Sequence, residues 1–301
     1  MKLIFSKKGF DTNFGGQPSP IFPDGSMVSL PIPDKYSQCP YASIAVPISA
    51  YNNMLDLLLA LGCRQVKPSK SKTAMSEKIC AHLDPDLIYG SRPRQSNWRP
   101  AFGQSNAAMG HLRNQEVGQG DIFLFYGIFC EVKFNNNDKL EYTGKVKQII
   151  WGWMQIGEVK FVPDIINNPA YGWLGDHPHL MPPHNDDKNY IFIASQYLNL
   201  PGIMPDLPGA GVFTHLAPEL VLSHPDGKSF THWRLPAFFY PFPDKTPLTY
   251  HANQDQWQLQ GENVLVTRRG GYGQEFVLNC DEYMPKVMSW LKNLLAKQRH
   301  L

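Results

Sequence analysis

Gly118-Gln119-Gly120-Asp121-Ile122-Phe123-Leu124-Phe125-Tyr126 is the stretch on which the reading of the fold turns. A glycine- and aspartate-bearing turn launches a run of five apolar residues, which predicts a strand over 122–126. Upstream, Ala107, Ala108, Met109 and Leu112 predict a helix over 105–114. Downstream, Asn135-Asn136-Asn137-Asp138 signals a turn, and strands are expected over 148–154, 156–161 and 190–194. Strand signals recur at 2–5, 27–32, 220–222, 264–267 and 275–278. Two further helices are expected, one over 51–61 stopped by Gly62, the other over 284–298 with Pro285 in its first turn. Segment 163–187 reads as a loop crowded with proline, histidine and aspartate.

The chain of 301 residues contains 24 glycines and 26 prolines, about one residue in six against a usual share of roughly one in eight. That excess favours short strands and long structured loops over a helical bundle. The regular strand–helix alternation of a doubly wound nucleotide fold is missing. The expectation is therefore an α+β fold with a mixed or antiparallel sheet and a few packed helices including a C-terminal one. No linker composition divides the chain, so a single domain over 1–301 is expected. A net charge of +2 gives no protein-wide attraction to nucleic acid, although a local basic patch stays open. The start, Met1-Lys2-Leu3-Ile4-Phe5, has too short an apolar run for a secretory signal, and no stretch approaches the ~20 residues of a membrane span. The five cysteines form no CxxC pair. A reduced, cytoplasmic protein is expected.

Several polar clusters could carry chemistry. Ser6-Lys7-Lys8-Gly9-Phe10-Asp11, followed by Gly15-Gly16-Gln17-Pro18-Ser19-Pro20, could hold a polar ligand against exposed amides, or be a surface hairpin. In His82-Leu83-Asp84-Pro85-Asp86, residues two apart share a face of an extended segment. The imidazole and two carboxylates could then bind a cation or divide acid and base roles; the alternative is an Asp-Pro turn. Arg92, Arg94 and Arg99 surround Trp98, a set suited to phosphate contact and base stacking, with Gln104 able to read a base edge; a loop anchored by Trp98 is the plain reading. Asp176-His177-Pro178-His179, with His184, Asp186 and Asp187 behind, has the density of a metal site but no HExxH or thiolate partner, and hydrogen bonding is the commoner use of such histidines. Arg268-Arg269-Gly270-Gly271-Tyr272-Gly273 fits an anion-binding turn or a basic hairpin end. GxGxxG, Walker and GxSxG patterns are absent.

The segments 5–11, 18–25, 29–33, 82–86, 98–104 and 120–127 together resemble the nucleotide modification associated domain family, third type. The likeness runs over nearly the whole chain. It implies an association with DNA base modification in bacteria and phages, without fixing a biochemical step. Separately, 120–126 with 149–159 is similar to the core hairpins of PUA-like barrels, whose relatives hold modified bases in an aromatic cage, and this implies a barrel core.

The expected function is binding of a nucleotide or nucleobase and a part in making, altering or sensing a modified DNA base. As an enzyme, Asp11, His82, Asp84 and Asp86 would be the catalytic set, with Lys8, Ser19, Trp98, Arg99 and Gln104 binding the substrate. As a reader, Trp98 would stack and Gln104 would read the base edge. A structural partner in a DNA-modification or phage-defence assembly is the third class. The expected partner is a nucleotide or nucleic acid and no membrane; the sequence assigns no cofactor, metal or oligomeric state.

Overall fold

The computed structural model describes residues 1–11, 13–48, 50–68, 71–136, 139–182, 188–202, 206–267 and 275–297. Its centre is an eight-stranded mixed sheet made of β1 (Lys2–Lys7), β2 (Ser19–Ile21), β3 (Ala101–Gln104), β4 (Ile122–Phe134), β5 (Leu140–Phe161), β6 (Tyr190–Ala194), β7 (Ala210–Val212) and β8 (Glu275–Asn279). The principal order is β8-β1-β4-β5-β6-β3; β2 joins β4 and β7 joins β5. β1 and β2 lie parallel to β4, and the other pairings are antiparallel. This is the mixed α+β architecture expected from the sequence.

The run Ile122–Tyr126 is the middle of this sheet because both its faces are buried, which an unbroken apolar run requires. β5 extends further than its two expected pieces. Up to Gln155 it pairs with β4, and from Ile156 onward it pairs with β6, so one bent strand serves both halves. The sheet curls until its end strands meet: Gln104 Nε2 on β3 donates to Glu275 Oε1 on β8 at 2.6 Å. Among the described residues no ladder joins those strands, so the sheet does not close into a barrel.

Three apolar clusters hold the layers together. The largest packs both faces of β1, β4 and β5. Phe5 contacts Trp233, Phe239 and Trp290, which come from a three-stranded sheet (His232–Pro236, Trp257–Gln260, Asn263–Thr267), its edge and the C-terminal helix Met284–Leu295. A second cluster surrounds the helix Met54–Ala60. That helix begins later than expected because the Asn53 side chain caps it, accepting from Asp56 N. The third lies under segment 162–180 against Ala101, Ile191 and Ile193, the outward residues of β3 and β6. No described helix is long and apolar enough to cross a membrane.

Segment 27–32 makes only isolated bridges, and 218–220 is a 3-10 turn where a strand was expected just beyond. Proline at 31 and 218 removes ladder donors at these places.

Candidate functional site

Strand β3 separates two buried polar clusters. Its alternate residues Phe102 and Gln104 face inward; Ala101 and Gly103 face outward. The outward cluster is built on Asp84, whose side chain is only 4% exposed. The two-residue strands Pro33–Asp34 and Cys80–Ala81 pair, and His82 N donates to Ile32 O, so His82 lies beside Asp34. Asp84 N then donates to His82 O at 2.9 Å, a tight turn that ends the extended run. Asp84 Oδ1 accepts from Gly103 N at 2.8 Å.

The other wall comes from far downstream. His177 opens the 3-10 turn Pro178–Leu180, and His177 and His179 both reach the Asp84 carboxylate. His177 Nε2 is 3.4 Å from Oδ1; His179 Nε2 and His82 Nε2 are 3.5 and 3.7 Å from Oδ2. A Cβ on Gly103 would stand 2.3 Å from the His179 ring, so only glycine lets that ring lie on the strand.

Hydrogen bonds at the far side of each ring set its tautomer. His82 Nδ1 meets the Asp34 carboxylate at 2.8 Å, an acceptor, so Nδ1 carries the proton. Asn189 Nδ2 donates to His179 O, which turns its Oδ1 toward His179 Nδ1 at 2.7 Å, again an acceptor facing Nδ1–H. Both rings therefore turn Nε2 toward Asp84 Oδ2. His177 is the opposite case: its Nδ1 accepts from His179 N at 3.3 Å, leaving the proton on Nε2, next to Asp84 Oδ1. Oδ1 is thus supplied by Gly103 N, while Oδ2 and the Nε2 atoms of His82 and His179 lie within 4.8 Å of one another. Such a set can share a proton or hold one cation.

The electrostatics follow this geometry. Burial disfavours a charged Asp84, but the three imidazoles outweigh it and hold the carboxyl well below its usual range. Burial likewise opposes a charged His82, yet Asp34 and Asp84 raise it to about 9. Burial dominates at His177 and pushes it down, toward the neutral ring.

Asp86 does not share this cluster. Its backbone bridges to Ala101, and its carboxylate meets Arg94 at 2.6 Å; burial pushes Asp86 up to about 7 against the pull of Arg94. Asp176 joins the same network through Arg92 at 2.9 Å and Arg94 at 3.5 Å, which pins the residue preceding His177. Trp98 lies under the Arg94 guanidinium, and Arg99 is tied to Glu158 at 2.5 Å and to the Ala194 carbonyl.

The inward cluster holds Lys8 and Gln104. Glu275, 1% exposed, accepts at Oε1 from Gln104 Nε2 (2.6 Å), Ser6 Oγ (3.1 Å) and Lys8 Nζ (3.3 Å), and Lys8 also caps the Phe102 ring. Ser19 Oγ accepts from Leu30 N, and Asp11 pairs with Lys7 at 3.0 Å while accepting from Asn13 N and Phe14 N. The nine candidate residues thus fall into separate groups, with His82 and Asp84 together and Lys8 and Gln104 together. Asp34, Asn189 and Glu275 carried no motif signal. His177 and His179 did, through the His-Pro-His spacing. His184, Asp186, Asp187 and the 268–273 motif lie outside the described residues.

A small cleft with about 70 Å³ of space inside its mouth runs beside the Asp84 segment. Leu83, Asp84, Pro85 and Asp86 form one wall, Trp151 and Phe213 another, and Ser29 and Thr214 add hydroxyls. Asp11 is not among its lining residues. A second groove continues from it along Trp153 and Tyr89 and shares Ala45, Leu87 and Val212.

Residues 2–279 match the family model described as nucleotide modification associated domain 3. The chain belongs to that family. No curated protein and no solved structure matches it. The family description points to a role in nucleotide modification, and it covers every residue of both polar clusters.

Proposed function

We propose that this chain binds a nucleotide, or a nucleobase within DNA, in the cleft beside Trp151 and acts there in making or altering a modified base. The cleft carries the reading. It is largely apolar, walled by an indole ring, and supplied with the hydroxyl-bearing residues Ser29 and Thr214, a combination that suits a flat heterocycle with polar edges. Membership of a family described by nucleotide modification supports this choice of substrate class. An acting role is favoured over a purely reading one because the segment forming its wall also carries Asp84, buried with imidazoles from two distant parts of the chain.

Thermal shift with nucleoside mono- and triphosphates and short single- and double-stranded DNA, each with and without divalent cations, tests this directly. A ligand at about 100 times its Kd stabilises the native state by about 2.7 kcal/mol, enough to move the transition by several degrees. The expected result is a shift with at least one nucleotide class that disappears in Val212→Trp, which fills the junction of the two grooves. A folded protein that responds to none of them overturns the proposal.

A further inference from the structure

We propose that His82 Nε2, Asp84 Oδ2 and His179 Nε2 form a binding site for one divalent transition-metal ion. The inference rests on the cluster's own geometry and stands whether or not the cleft takes a nucleotide.

Distance is the first argument. A sound N–H···O hydrogen bond is about 2.7–3.2 Å long. The two Nε2 atoms lie 3.5 and 3.7 Å from Asp84 Oδ2, beyond that range. Ligand atoms each about 2.1 Å from a tetrahedral zinc stand about 3.4 Å apart, close to the two spacings to Oδ2, and all three atoms lie within 4.8 Å of one another. Direction is the second argument. Asp34 and the Asn189 amide oxygen hold the Nδ1 side of each ring away from Asp84, so the two Nε2 atoms and a carboxylate oxygen face a common centre.

The surroundings match what metal sites need. Ligating imidazoles characteristically donate their second N–H to a carboxylate or carbonyl oxygen, and ligating carboxylates are themselves hydrogen-bonded. Here Asp34 and Asn189 serve the rings, and Gly103 N serves Oδ1. His177, with its proton on Nε2, is a positioning residue for Asp84 and not a ligand. Two imidazoles and one carboxylate select a first-row transition ion over Mg²⁺ or Ca²⁺, which prefer all-oxygen sets. Among the described residues the set is two imidazole nitrogens and one carboxylate oxygen, a mixed donor set that zinc and its neighbours accept.

The test uses the full chain, purified, stripped with a chelator and titrated with Co²⁺, then with Zn²⁺ in competition. The expected result is uptake of one ion per chain, with visible Co²⁺ d–d bands that Zn²⁺ abolishes. His179→Gln and His82→Gln should each weaken uptake by more than 100-fold. His177→Gln should weaken it by about 10-fold, as an outer partner does. Wild-type protein that is folded by circular dichroism yet takes up neither ion overturns the proposal, as does uptake unchanged in both ligand variants. Neither outcome depends on a nucleotide, so failure here is separable from failure of the cleft assignment.

Discussion

The two faces of β3 show how similar ingredients make different things. Outward, Asp84 is buried among imidazoles at 3.4–3.7 Å; inward, Glu275 is buried among an amide, a hydroxyl and an ammonium at 2.6–3.3 Å. Each is a carboxylate in an apolar surround beside the same four residues of strand. Glu275 Oε1 receives three donors at hydrogen-bonding distance, and its work is to hold the ends of the curled sheet together. Asp84 Oδ2 faces two imidazole nitrogens across a wider gap. Bond length and donor direction, more than residue type, separate a hydrogen-bonded network from a set of converging ligand atoms.

The sharpest way to break this comparison is to neutralise each acid in turn. Asp84→Asn is expected to reduce metal uptake by more than 100-fold. Glu275→Gln should leave uptake unchanged and cost about 3 kcal/mol of stability, because Lys8 then stays buried without its counter-charge. Metal titration and urea denaturation of both variants read this out; uptake lost equally in both would merge the two clusters into one.

Gly103→Ala comes next, since it acts on one face only. Its methyl would meet the His179 ring, so a loss in metal affinity of about 10- to 100-fold is expected together with a stability cost of about 1–3 kcal/mol. Unchanged affinity would show that the ring does not need its present position.

Asp34→Asn tests the outer support of His82. An affinity loss of about 10-fold is expected, against a change of about 1 kcal/mol in stability and none in affinity for Ser6→Ala on the inner face.

A pH dependence follows from the same cluster. In metal-free protein the folded state raises His82 to about 9 from an ordinary value near 6.5. A raised histidine contributes stability that is full below about pH 6.5 and is lost as pH rises through about 9. Denaturation midpoints in chelator should therefore fall between pH 6.5 and 9.5. Saturating metal should flatten that fall, since the ion replaces the proton at Nε2. A midpoint that rises with pH in chelator would contradict the assigned partners.

Much of the fold was legible in the sequence because the central strands are continuous apolar runs and the C-terminal helix has a clean amphipathic face. The short strands Ser19–Ile21 and Ala101–Gln104 were not, since a proline or a glycine interrupts each and tertiary pairing alone defines them. The candidate site was half visible. His82 and Asp84 stood out as a motif, and His177 and His179 as a separate one, but nothing in a linear pattern shows that two such segments meet. Alternation put Asp86 on the same face as Asp84, and the hydrogen bond from Asp84 N to His82 O breaks that alternation. Glu275 gave no signal at all, being one acid at the start of an apolar strand.

X-ray absorption at the K edge of the bound ion, collected on full-length protein loaded with one equivalent of Zn²⁺, tests the central claim most directly. The account predicts nitrogen and oxygen neighbours at about 2.0–2.2 Å with the outer-shell scattering of two imidazoles, reduced to one in His179→Gln. A spectrum without imidazole scattering, or with sulfur at about 2.3 Å, would contradict it.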